Sequence, residues 1–342
     1  MAEWVKAAEV QLETHRWLTS PAGVRWQRGW IAAEMRNEPA KGEVYALLAQ
    51  AEPQKLLTAD AIWVAEEMGE VIDFARETFK AEPMEREDFI VHTGFLYFQK
   101  PLLMLDRNRK NVSVGAISWC PVRFTNKTQA EVYAEASPAL VGLEIDGHGT
   151  EATFHDSEVE EDQWGMALTI YSSARAEGDD YHETHVHMQR TLGSGELSPL
   201  HYTYVMFGSP LDDGDMYDEH EVYTAADHWW KLIQTTLRLM QQRVFEQAEM
   251  PVPRPERRRW QRAVKHAPKE ILVIRLRRTK PKHGEPVESG RTLTHRHLRD
   301  GHWRMQPYPS LGRSRQIWIA PTIVGDDSLP LIVKRRYYKW DR

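Results

Sequence analysis

The spacing of apolar residues changes near residue 80, and that change limits the folds open to this chain. Ile62, Ala65, Met68, Ile72, Ala75 and Phe79 recur every three or four residues, and Val64 and Val71 widen the stripe. This predicts a helix over 58–79 with Thr58 as its N-cap. Residues 4–17 and 22–35 have weaker helical periodicity, and the first 80 residues read as helical. From Phe89 the texture turns to short β-rich runs, at 89–98, 102–105, 112–120, 166–171, 184–188 and 202–207, separated by Gly, Asp and Asn. A long helix over about 224–248 follows. Trp229, Trp230, Ile233, Leu237, Met240, Val244 and Phe245 form its buried face, and the prolines after Met250 end it.

At Pro251, Pro253 and Pro255 the charge balance reverses. Residues 251–342 hold 23 Lys and Arg against 8 Asp and Glu, a balance of +15. Subtracting these from the chain's 44 basic and 50 acidic residues leaves 21 and 42 in 1–250, a balance of −21. With 342 residues, 41% of them hydrophobic, the chain is too long for one small core. The expected fold class is therefore α+β: a helical N-terminal region plus a mixed sheet, followed by a small, basic, mainly-β C-terminal domain. The domains expected are 1–250, an acidic α+β recognition domain, and 251–342. The second holds a short basic helix at 256–264 and β-like runs at 271–276, 293–305, 315–321 and 331–340. A compact segment with this much positive charge has the footprint of a phosphate binder. The alternative is that the acidic part docks on the basic part and neutralises it.

Several classes are excluded. Cys120 is the only cysteine, which rules out an internal disulfide and a cysteine-based zinc cluster, and the first residues lack a secretion signal. A cytoplasmic location is expected, away from membranes, because no apolar run reaches the roughly 18 residues a spanning helix needs. Asp212, Asp213, Asp215, Asp218 and Glu219 lack the ligand spacing of a calcium loop. There is no Walker loop, dinucleotide glycine fingerprint or nucleophile elbow.

The densest chemistry lies at residues 293–308. His295, His297 and His302, with Arg296, Arg299, Arg304 and Tyr308, fall within 14 residues. These types can cleave RNA without a metal. One imidazole removes the 2′-hydroxyl proton, a second protonates the leaving 5′-oxygen, and arginine stabilises the phosphorane. The candidate catalytic residues are His297, His302, Arg299, Arg304 and Tyr308, with no cofactor. Candidate nucleic-acid contacts are Arg257, Arg258, Arg259, Arg262, Arg296, Arg313, Arg315, Lys334, Arg335 and Arg336. On an unbroken strand His297 and His302 would point apart, so the pairing requires a bulge at Gly301. Two other readings stay open: a zinc site made by His295, His297 and His302, and structural bracing of a polar β domain. No metal is expected, because Arg296, Arg299 and Arg304 surround the histidines with positive charge. A second cluster, His182, His185 and His187, is read as a polar strand end, with weak metal binding as its alternative.

The run His297-Leu298-Arg299-Asp300-Gly301-His302-Trp303, followed by a Gly-containing loop and Trp318-Ile319-Ala320-Pro321, resembles the terminal signature of a family of phage, plasmid and actinobacterial proteins. A type V-A anti-CRISPR protein carries a similar block. A fainter likeness covers Gly94–Phe98 with Pro101, and Gly115–Trp119. The resemblance implies a mobile-element protein that acts on gene expression through RNA or the translation apparatus. Members usually carry Arg before the glycine, where this chain has Asp300, which keeps binding without cleavage open. The expected function is RNA binding, with metal-independent cleavage as its catalytic form, and the expected partner is RNA or ribosome-associated nucleic acid. The alternative is a non-enzymatic inhibitor or antitoxin-like protein whose acidic domain captures a basic or nascent protein.

Overall fold

The computed structural model describes residues 3–37, 39–80, 82–105, 110–125, 143–145, 152–155, 163–176, 178–208, 225–242, 245–262, 269–276, 296–299, 301–309, 312–319, 322–324 and 331–332. Three helices open the chain: α1 (Val5–Leu18), α2 (Pro21–Asn37) and α3 (Pro39–Thr58). The apolar stripe expected to be one helix from Thr58 is split. Asp60–Val64 is a strand, β1, and α4 (Glu66–Thr78) starts only after it. Ala61 and Trp63 enter the core beneath α1, whereas Ile62 and Val64 enter the core beneath α4. A parallel strand covered on both faces is a continuous apolar run, which spacing alone does not separate from a buried helix.

β1 pairs in parallel with β2 (Gly94–Leu105) and, on its other edge, with β9 (Glu270–Leu276). β2 joins two runs expected to be separate strands, and its register shifts between Tyr97 and Leu102, around Pro101. Proline has no N–H for the ladder and belongs at such irregularities. β2 continues antiparallel to β3 (Asn111–Thr125), β3 to β6 (Gln163–Ser173), and β6 to β7 (Leu197–Met206). The end of β3 also pairs in parallel with β5 (Ala152–His155), which carries β4 (Leu143–Ile145). At the opposite side β9 pairs antiparallel with β8 (Phe245–Pro251), giving the path β8-β9-β1-β2-β3-β6-β7.

Helices cover both faces. α1, α3, α5 (His182–Leu192) and α7 (Arg254–Gln261) contribute Val10, Leu56, Met188 and Trp260 to one core. α4 and α6 (Ala225–Met240) contribute Ile72 and Leu237 to the other. Two expectations are corrected here. Residues 184–188 are helical, not a strand, and Gly193, with φ of 66°, supplies the left-handed turn that stops α5. The long helix ends at Met240, and 245–251 is β8.

The C-terminal strands form two small sheets. β10 (Arg296–Arg299) lies between β13 (Thr322–Val324) and β14 (Leu331–Ile332), while β11 (His302–Tyr308) and β12 (Arg313–Ile319) form an antiparallel hairpin. The α+β class holds, with its helical N-terminal region, mixed sheet and small β-sheets at the end. The boundary expected at 250/251, however, falls inside β8. β9 is an inner strand of the main sheet, and Trp260, Ile271 and Val273 belong to the core beneath α1. The described residues 251–262 and 269–276 are thus part of the main sheet and the helices that cover it. No helix among the described residues is long and apolar enough to cross a membrane.

Candidate nucleic-acid interface

The hairpin β11–β12 has two different faces. In its register Trp303 lies opposite Trp318 and Met305 opposite Gln316, so these four share one face. That face is anchored. The rings of Trp303 and Trp318 are 5.3 Å apart, Phe79 packs on Trp303 at 5.0 Å, and Phe74 packs on Trp318 at 6.0 Å. Trp303 Nε1 donates to the Ala75 carbonyl at 2.9 Å. Gln316 Nε2 donates to the Lys80 carbonyl at 2.9 Å and to Glu82 Oε1 at 2.7 Å. The two tryptophans of the 297–321 signature therefore hold the hairpin to α4 and the segment after it. Gly312, with φ of 62°, closes the turn, a conformation that other residues rarely adopt.

The opposite face carries His302, Arg304, Gln306 and Tyr308 from β11, with Arg315, Ile317 and Ile319 from β12. Arg304 is exposed and donates to Gln306 Oε1 at 2.8 Å, which holds its guanidinium along the strand. Arg315 faces Gln306 across the ladder, one step diagonal to Arg304, a separation of roughly 7–8 Å. Tyr308 lies at the open end, 36% exposed. The ribbon thus presents two guanidinium groups, an imidazole and a phenol on a rigid base.

The other candidate residues are distributed differently. Arg296, His297 and Arg299 lie on β10, described by its backbone alone, and Arg313 begins β12 on the same terms. The chain does not run from His297 to His302 as one strand with a bulge. β10 ends at Arg299 and β11 begins at His302 in a separate sheet, so the single-strand geometry assumed for a histidine pair is replaced. His295, Asp300, Lys334, Arg335 and Arg336 lie outside the described residues, as does the acidic run 211–220.

Arg257, Arg258, Arg259 and Arg262 lie on α7 or at its end, and Trp260 plants that helix in the core beneath α1. The hairpin packs on the other core, with Trp318 inside it. The main sheet thus separates the two groups of arginines, and they form no common surface. Arg259 is also ion-paired to Glu9 of α1, so part of the basic charge is met by the acidic half.

Two buried polar networks escaped the sequence reading. Beneath α3, Glu52 accepts from Ser118 Oγ at 2.8 Å, Thr169 Oγ1 at 2.5 Å and the Tyr171 hydroxyl, and pairs with Lys55 Nζ at 2.5 Å. Burial, followed by the charge of Glu52, pushes the Tyr171 hydroxyl well above the usual phenol range. In the second network Ser172 Oγ lies 3.3 Å from His185 Nδ1, and His185 Nε2 lies 3.5 Å from Asp179 Oδ2. This is the order of a nucleophile, a base and its orienting carboxylate. All three are buried, however, and Asp179 also accepts from Ser113 Oγ at 2.5 Å, so the group ties α5 to the sheet. Burial holds the His185 imidazole below its usual pKa, with Asp179 raising it and His182 lowering it by smaller amounts. The strand face expected to carry two of these histidines is accordingly corrected: on a helix His185 and His187, two residues apart, point to different sides.

No family model matches the chain, and no curated protein matches it in sequence.

Proposed function

We propose that the protein binds RNA through the outer face of the β11–β12 hairpin. One observation carries the reading: His302, Arg304, Gln306, Tyr308 and Arg315 share one face of a ribbon whose other face is locked to α4 by Trp303 and Trp318. Guanidinium groups make bidentate contacts to phosphate, and a tyrosine ring stacks on an unpaired base. Holding both on a fixed strand pair removes much of the ordering cost that flexible arginines would add on binding. The resemblance of 297–303 and 318–321 to a family of phage, plasmid and actinobacterial proteins, which implies a role in gene expression, supports the same reading.

The test is fluorescence anisotropy of a labelled single-stranded RNA with the full chain and an Arg304→Gln variant. The expected result is saturable binding, weakened about tenfold or more in the variant, since a charged hydrogen bond contributes roughly 1.5–3 kcal/mol. Equal affinity of the two proteins would refute it. The same RNA incubated in chelator, followed on a sequencing gel, separates binding from cleavage. Cleavage that His302→Ala abolishes would add an enzymatic role.

A further inference from the structure

A second feature of the hairpin's side of the sheet has a defined shape. Where β3 and β7 end and β6 begins, Pro121, Trp164, Met166 and Phe207 line a cleft of about 260 Å3, with Arg86 completing its lining. The register puts Pro121 opposite Met166 and Arg123 opposite Trp164, so these four share the sheet face that bears the core beneath α4. Phe207 packs against Phe89 at 6.3 Å, and Phe89 against Trp119 at 5.9 Å, which makes the cleft floor a continuation of a rigid aromatic row.

The wall is an indole that the fold leaves uncovered. Trp164 is 39% exposed, although it stands over the end of a core in which its neighbour on the same face, Met166, is fully buried. The Arg123 guanidinium lies 5.7 Å from the Trp164 ring centroid, an arrangement that adds positive charge to the aromatic wall. Arg86 is exposed, with Nη2 3.3 Å from His92 Nδ1, so a second cation lines the cleft. Of the three acids beside it, Glu85 and Asp88 are engaged elsewhere and Glu87 is exposed. Glu85 and Asp88 cap the short 3-10 turn that carries Arg86, and Asp88 also pairs with Arg238 at 2.7 Å. That turn is tied to the hairpin through Arg238, which pairs with Asp88 at 2.7 Å and with Glu82 at 3.6 Å, and Glu82 accepts from Gln316 Nε2 of the hairpin at 2.7 Å.

The volume is just below the roughly 300–1,000 Å3 of sites for drug-sized ligands, which suits one ring system with its first substituents. Apolar walls with an exposed indole select a flat aromatic face, and Arg86 selects an anion attached to it. We propose that this cleft is a stacking pocket for one unpaired nucleobase, with its phosphate at Arg86. The inference rests on the RNA reading of the hairpin for the source of that base. A strand lying on Arg304, Tyr308 and Arg315 would pass the turn at Arg86 and deliver one flipped base to Trp164.

Ligand-observed NMR titration of the full chain with adenosine monophosphate, adenosine and inorganic phosphate tests the pocket apart from the hairpin. The monophosphate is expected to bind, adenosine to bind several-fold more weakly, and phosphate alone to show no saturable binding. Trp164→Ala should weaken the monophosphate about tenfold or more, within the range typical of lost base stacking. Trp164→Phe, which keeps a flat ring, should restore most of the affinity, and Arg86→Gln should bring the monophosphate down to the level of adenosine. Equal binding by wild type and Trp164→Ala, or no binding of the monophosphate, overturns the pocket. A single-stranded oligoribonucleotide is titrated in parallel. If the oligoribonucleotide binds and the monophosphate does not, the pocket falls and the hairpin stands. If the monophosphate binds and the oligoribonucleotide does not, the RNA source is overturned and the cleft is a site for a free nucleotide.

Discussion

Lys55→Met tests whether the Glu52 network is a low-dielectric ion pair that the fold depends on. Glu52 is 0% and Lys55 4% exposed, and Lys55 Nζ lies 2.5 Å from Glu52 Oε2 and 2.9 Å from Thr169 Oγ1. At an effective dielectric constant of about 20, charges 2.5 Å apart attract by roughly 6–7 kcal/mol. Desolvation of the two ions, several kcal/mol each, offsets most of that, so the pair as a whole contributes little net stability. Breaking it has a different cost. Methionine fills nearly the volume of lysine but leaves the carboxylate buried with only the hydroxyls of Ser118, Thr169 and Tyr171, and the expected loss is about 3–5 kcal/mol. Urea unfolding followed by far-UV circular dichroism and tryptophan fluorescence reads this directly, the coincidence of the two probes showing whether one transition is measured. The double variant Glu52→Gln with Lys55→Met removes both charges and should recover most of the loss. A Lys55→Met protein within about 1 kcal/mol of wild type, or a double variant no better than the single one, would show that the buried Glu52 does not depend on Lys55.

Three further outcomes follow from other parts of the fold. Trp318→Ala, which empties a site touching Trp303 and Phe74, should cost about 3–5 kcal/mol in the same unfolding assay and weaken RNA binding without altering any outer-face residue. Gly94→Ala places a Cβ 2.3 Å from Trp119, whose indole is fixed by its bond to the Val91 carbonyl at 3.0 Å, so a loss of about 1–3 kcal/mol is expected from the unfolding midpoint. His185 has a folded pKa below the ordinary 6.5, lowered chiefly by burial, so the unfolded chain binds its proton more readily. Its contribution is complete above about pH 6.5 and is lost as pH falls towards the folded value, with a slope of at most about 1.4 kcal/mol per pH unit. His185→Asn should flatten the slope of stability against pH in that window. His15, lowered by burial in the same sense, supplies a remainder, and the raised carboxyls of Asp60, Asp73 and Asp88 act with opposite sign above about 3.8. A variant with an unchanged profile would show that His185 is not the titrating group.

The sequence makes some of these features visible and hides others for physical reasons. Helices α1 and α2, and strands such as β3 and β9, are legible because their apolar spacing or β-branched content is local. β1 is hidden because its four apolar residues, Ala61 to Val64, extend the three- and four-residue spacing of α4. β8 is hidden because Val244 and Phe245 prolong the stripe of α6. The outer face of the hairpin is legible from strand alternation once Trp303 and Trp318 are taken as partners. Their anchorage to Ala75 and Phe74 is not, since it joins residues more than 220 positions apart. The charge reversal at 251 invites a division that the strand pairing of β8, β9 and β1 overrides. Hydrogen bonds across the sheet, such as those gathering on Glu52 and Asp179, leave no periodic trace at all.

If the outer face of β11–β12 meets phosphates, the salt dependence of RNA binding reports the contact. Affinity for a single-stranded RNA is determined between about 50 and 200 mM salt for the wild-type chain and for the double variant Arg304→Gln with Arg315→Gln. Each phosphate neutralised on a single strand adds about 0.7 to the slope of log affinity against log salt. The double variant should therefore bind more weakly, with a slope shallower by about 1.4. The same affinity and the same slope in both proteins would show that the RNA is held elsewhere or not at all.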